Sequence, residues 1–292
     1  MSFNYTGTGI ALVTPFTANN EVDFDALGKL IDHVINGGVE YLVVLGTTGE
    51  SATLSKEEKK SIYKFAVEAN NKRVNMVAGI GGNNTAELLE AANNFDYNGY
   101  DAVLSVSPYY NKPNQNGIYE HYKAFANNSP LPVIIYNVPG RTGCNIIAET
   151  QLRLANDISN IVCTKEASGM FEQCMDVIKN KPANFKVVSG DDAITLPLIG
   201  AGMDGVISVI GNAYPRQFSD MVRAALANDY ETARNLHYKV YELSKQIFAE
   251  GSPGGVKYIL KKLGICGDAV RLPLYKISPA LEQKLDALMA EV

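Results

Sequence analysis

Short runs rich in valine and isoleucine alternate along the chain with segments whose apolar residues recur at helical spacing, the two periods that distinguish buried strands from amphipathic helices. Strand-like runs occupy 9–16 (GIALVTPF), 41–46 (YLVVLG), 74–80 (VNMVAGI) and 101–107 (DAVLSVS). They continue at 132–138 (PVIIYNV), 161–167 (IVCTKEA), 185–190 (FKVVSG) and 205–210 (GVISVI). Because these runs are almost continuously apolar, they predict strands covered on both faces, as in a parallel sheet wrapped by helices. The helix signals between them are explicit. Ser55 with Glu58 predicts a capping box, and Gly37-Gly38 close a segment whose apolar face carries Leu27, Leu30, Ile31 and Val34.

Eight such βα units in about 225 residues predict a closed (β/α)8 TIM barrel, an α/β fold. A doubly wound sheet would have fewer strands and a nucleotide-binding turn. The nearest sequence to such a turn, Gly79-Ile80-Gly81-Gly82-Asn83-Asn84, has Asn84 where the third glycine belongs, and reads as a barrel βα turn. From residue 228 the strand-like runs stop. The expected organisation is a catalytic barrel over 1–227 followed without a linker by a C-terminal helical extension over 228–292.

Composition narrows the function classes. With 46% hydrophobic and 20% charged residues the chain can build a large core, and 26 Lys+Arg against 31 Asp+Glu, with no basic run, argues against nucleic acid as a partner. No segment of about 20 apolar residues predicts a membrane span, and the first residues lack a basic and apolar leader pattern, so the expected location is the cytoplasm. Cys144, Cys163, Cys174 and Cys266 are widely spaced and form no CxxC pair, as expected of reduced core thiols. His33, His121 and His237 stand apart in helical segments, so no metal site is expected.

In a barrel, chemistry sits where the strands end. Lys165 is the odd residue there, a lysine inside the apolar run Ile161-Val162-Cys163-Thr164. Pointed into the barrel it would lose its proton readily and attack a ketone; an ion pair with Glu166 or Asp191, or a chain reaching out to water, is the competing reading. Tyr136, one strand earlier, could pass protons to an imine or simply be core. Thr47-Thr48 could hold a carboxylate or merely close a glycine-flanked turn. Arg141, past Pro139-Gly140, suits a carboxylate or is a solvated surface arginine.

Taken together, GTTGES at 46–51, SPYYNKP at 107–113, YNVPGRTG at 136–143, TKEASG at 164–169 and SGDD at 189–192 resemble the 4-hydroxy-tetrahydrodipicolinate (dihydrodipicolinate) synthase family, in order and over essentially the whole chain. The resemblance implies a Schiff-base lysine at Lys165, a proton relay of Tyr136, Thr47 and a Tyr110 that crosses from a neighbouring subunit, and pyruvate held near Thr48, Gly190 and Ile207. It implies Arg141 as the binder of aspartate semialdehyde's carboxylate, no cofactor, and a homotetramer built as a dimer of dimers. Pyruvate and aspartate semialdehyde would be the substrates, in lysine and diaminopimelate biosynthesis. Ser51, Ala52, Asn83, Glu87 and Tyr109 match the family's lysine-inhibition site, where Lys56 and Lys59 replace histidines of well-inhibited members. Two added cations beside a cationic effector imply weak or absent feedback.

Related aldolases offer alternatives. N-acetylneuraminate lyase and 4-hydroxy-2-oxoglutarate aldolase share the lysine and tyrosine, but the former typically carries histidine where this chain has Asn137. A keto-acid-binding protein without catalysis is the alternative of another class, against which intact Lys165, Tyr136, Thr47 and Tyr110 argue.

Overall fold

The computed structural model describes residues 4–292, so the first three residues of the expected barrel range lie outside the described residues. Eight parallel strands, β1 (Gly7–Ala11), β2 (Tyr41–Val44), β3 (Asn75–Gly79), β4 (Ala102–Val106), β5 (Val133–Asn137), β6 (Ile161–Glu166), β7 (Lys186–Ser189) and β8 (Gly205–Ser208), close into a barrel in sequence order. One to three helical segments separate successive strands, and no strand among the described residues follows Ser208. The barrel and its C-terminal helices are those expected from the alternating pattern.

The runs keep their starts or lose one residue there and lose one or two at their ends, except the first, which begins at Gly7 and ends at Ala11 instead of spanning 9–16. Pro15 offers no amide to a ladder, the Leu12 amide makes the last bond to β2 at Val43 O, and Val13 already turns its amide to the Asn212 side chain. Their apolar side chains stay buried in the loop. The predicted caps are present: Ser55 and Glu58 form the reciprocal capping box of helix Lys56–Asn70, and Gly37 caps helix Phe24–Asn36.

Two apolar layers result. One lies between sheet and helices, and a smaller one fills the barrel with Tyr41, Val43, Val77, Leu104, Ile134, Tyr136, Cys163, Val188 and Ile207. A Cβ on Gly9 would stand 2.1 Å from the Tyr41 ring, so only glycine there leaves the ring its place inside. The extension comprises helices Tyr230–Gln246, Gly254–Lys262 and Pro279–Met289, tied by Tyr258 Oη donating to Asp286 Oδ1 at 3.0 Å. All four cysteines are free and buried. Among the described residues no helix is long and apolar enough to cross a membrane, and no group of His, Cys, Asp and Glu could hold a metal.

Candidate active site

Strand alternation sorts β6 into two roles. Cys163 belongs to the inner layer and Lys165 shares its face, while Thr164 and Glu166 face the helices, where Thr164 Oγ1 donates to Gln151 Oε1 at 2.9 Å. Lys165 is 4% exposed, and register pairs it with Tyr136 on β5 and Val188 on β7. Its Nζ stands 4.4 Å from the centroid of the Tyr136 ring. Burial lowers its pKa to about 8; Asp192 opposes that shift and the Arg141 charge adds to it. An amine that is part neutral near physiological pH is a nucleophile for a carbonyl.

Neither ion pair offered as the ordinary explanation of Lys165 exists. The Glu166 carboxylate accepts instead from Asn137 Nδ2, Gln151 Nε2, Gln173 Nε2 and the Ser168 amide, at 2.8–3.1 Å. Asp191 accepts from the Ala193 amide. The carboxylate that does act on Lys165 is Asp192, 2% exposed, whose Oδ2 takes the amides of Val209 at 3.0 Å and Ile210 at 2.8 Å. Burial raises its pKa to about 6, against the pull of those amides and Ser208.

Tyr136 is buried in the inner layer. Burial raises its pKa, while the Arg141 charge and a hydrogen bond with the Thr47 side chain lower it, so Thr47, Tyr136, Lys165 and Arg141 share one neighbourhood. Thr47 and Thr48 sit in a tight turn, Thr47–Gly49, at the end of β2, with Thr48 buried and Thr47 exposed. Arg141 is exposed on the one-turn helix Pro139–Thr142 that follows β5. Gly190 follows β7 directly and lies against Lys165. A Cβ at Gly190 would meet Ala167 Cβ at 2.7 Å and Lys165 Cε at 2.9 Å, so glycine is what leaves the lysine its channel. Ile207 lies on β8 in the inner layer, two residues before the backbone that Asp192 holds.

Tyr110 stands apart from these groups. It occupies a left-handed turn at φ 73° and is 88% exposed, its amide bonded to Thr142 O at 3.3 Å. Of the residues matched to the regulatory site, Asn83 Nδ2 donates to Tyr109 O at 3.1 Å and Glu87 accepts from Asn84. Ser51 and Ala52 lie in the helical turn before Lys56 and Lys59, and burial lowers the pKa of Lys59. The roles of Asp192 and Glu166 were missed in the sequence, although SGDD and TKEASG contain them; a second carboxylate beside a motif aspartate was the available signal.

Known proteins bear on this arrangement. The model of the dihydrodipicolinate synthetase family matches residues 4–292. A 4-hydroxy-tetrahydrodipicolinate synthase from Parabacteroides distasonis is 50% identical over 99% of this chain and 97% of its own. One from Flavobacterium psychrophilum is 54% identical over 97% and 96% of the two chains. The crystal structure of dihydrodipicolinate synthase from Aquifex aeolicus superimposes with a TM-score of 0.94 at 41% identity, covering 98% of each chain.

Proposed function

The chain belongs to the dihydrodipicolinate synthetase family, and from that membership we propose that it condenses pyruvate with L-aspartate 4-semialdehyde through an imine on Lys165, giving 4-hydroxy-tetrahydrodipicolinate for lysine and diaminopimelate biosynthesis. The single observation that carries the site assignment is a lysine buried in the barrel, paired in register with a tyrosine and, among the described residues, free of a hydrogen-bonded carboxylate.

In this reading neutral Lys165 Nζ adds to the C2 carbonyl of pyruvate. Tyr136, through Thr47, delivers the protons that let water leave. Loss of a C3 proton gives the enamine, whose carbon attacks the aldehyde. The product's own amino group then displaces Lys165 as the ring closes, returning the amine. Thr48, the Gly190 turn and the Ile207 backbone would receive the pyruvate carboxylate and methyl side. Arg141 would receive the carboxylate of the semialdehyde, in keeping with a guanidinium's two-point geometry.

We read Tyr110 as the member of the relay given to a neighbouring subunit. A large aromatic ring held out on a left-handed turn is poorly suited to its own barrel and well suited to a partner's. The corresponding assembly is a homotetramer of two tight dimers.

Borohydride reduction in the presence of pyruvate, followed by peptide mapping and a coupled assay with aspartate semialdehyde, tests the whole. The expected result is an adduct on Lys165 and condensation in the assay. No adduct would refute the aldolase chemistry, and an adduct without condensation would refute the choice of acceptor.

A further inference from the structure

The last residues of the GTTGES segment do not face the reacting groups. Glu50 closes the Thr47–Gly49 turn in a left-handed conformation, φ 53°, with its amide bonded to Thr47 O at 3.1 Å. A non-glycine residue in that region costs backbone energy unless its surroundings hold it there. Its side chain turns away from the barrel mouth and is fully buried, in an ion pair with Lys257 of helix Gly254–Lys262, whose side chain is buried to the same degree. The carboxylate's other oxygen accepts from the Arg271 amide at 3.1 Å, and Lys257 Nζ also donates to Ala269 O at 2.8 Å.

Phe16 completes the site from beneath, its ring centroid 4.2 Å from Lys257 Nζ and 4.4 Å from the Arg271 guanidinium carbon. One residue before Glu50, Thr14 Oγ1 donates to Gly49 O at 2.7 Å. The C-terminal end of the turn that carries Thr47 is therefore tethered twice, through Gly49 to the barrel loop after β1 and through Glu50 to the C-terminal extension.

A buried ion pair is a poor stabiliser, because stripping water from two charges consumes most of what their attraction returns; here both Glu50 carboxylate oxygens are held, by Lys257 and by the Arg271 amide. We propose that the Glu50–Lys257 pair is a positioning device for catalysis: it holds the left-handed turn that sets Thr47 against Tyr136, and so lets the C-terminal extension determine the turnover of the barrel. The proposal rests on the reading of Thr47 and Tyr136 as a proton relay. Glu50 and Lys257 touch no reacting atom; they act through Thr47.

The test is a double-mutant cycle on the full-length enzyme. Glu50→Gln combined with Lys257→Met removes both charges and keeps the side-chain lengths, so neither buried charge is left unpaired. The expected result is a melting temperature within a few degrees of the parent, kcat lower by about ten- to a hundredfold, and a pyruvate KM changed by less than about threefold. Adding Thr47→Val to this variant should produce little further loss, since both changes disable the same relay. A parental kcat, or losses that multiply with Thr47→Val, overturns the proposal. Thr47→Val alone reads the relay: if it leaves kcat unchanged, the relay reading falls and this proposal with it, whereas failure of the tether alone leaves the Thr47→Val defect intact. Should the double variant not fold, Glu50→Asp keeps both charges and shortens the tether by one methylene. It should lower kcat by at least about fivefold at unchanged pyruvate KM, and parental turnover in that variant overturns the proposal.

Discussion

Tyr136 and Lys165 are direct register partners on neighbouring parallel strands, with the lysine Nζ 4.4 Å from the tyrosine ring centroid. Parallel strands place such partners side by side on one face of the sheet, here the inner face of a closed barrel. The proximity of amine and phenol is thus a property of the barrel's stagger, held by the same hydrogen bonds that close it.

The first prediction concerns pH. Lys165 attacks only as the neutral amine, and its pKa lies near 8, so kcat/KM for pyruvate should rise with pH and level off above about 8. Below that value it should fall about tenfold per pH unit. Asp192 holds the lysine pKa up, so in Asp192→Asn the acid limb should move to lower pH. A pH–rate profile checks both, and a limb displaced upward in the variant would remove Asp192 from this role.

Gly190→Ala introduces a methyl where 2.7 Å separates it from Ala167 Cβ and 2.9 Å from Lys165 Cε. The lysine must bend aside or the strand end must shift. We expect stability lower by about 1–3 kcal/mol in chemical denaturation and borohydride trapping slowed about tenfold or more. Trapping at the parental rate would show that Lys165 has more room than the geometry allows.

Arg141→Ala should raise KM for the semialdehyde by about ten- to a hundredfold, the range of one lost charge-assisted contact, and leave pyruvate KM nearly unchanged. Steady-state kinetics with each substrate varied in turn is the measurement. Equal effects on the two would take the acceptor role from Arg141.

If Tyr110 serves a neighbour, two dead subunits should repair each other. Tyr110→Phe and Lys165→Ala homo-oligomers are each expected to be impaired. Mixed and reassembled, they should regain up to roughly a quarter of parental activity at sites that combine an intact lysine with an intact neighbouring tyrosine, as symmetric pairing in a dimer dictates. Absence of any recovery in verified hetero-oligomers would confine Tyr110 to its own chain.

Feedback by lysine should be weak, since Lys56 and Lys59 bring positive charge to the region matched to the effector site. Titration of activity with L-lysine tests this, and an inhibition constant in the low micromolar range would sink it. Lys56→His with Lys59→His should then increase sensitivity.

The sequence by itself determined the barrel. Eight doubly covered strands, each followed by a helix and several of those helices capped, leave few ways to bury every apolar face, and local period encodes that pattern directly. It also singled out Lys165, because a charge in an apolar strand is legible as an exception. Only the tertiary structure decided which carboxylate addresses that lysine. Glu166 is its neighbour in sequence but points to the opposite face of β6, into a ring of amide donors, while Asp192 comes from beyond β7. The partnership of Glu50 with Lys257, 207 positions apart, was equally invisible along the chain. Strand alternation and barrel closure set such distances, and neither is written at any single position.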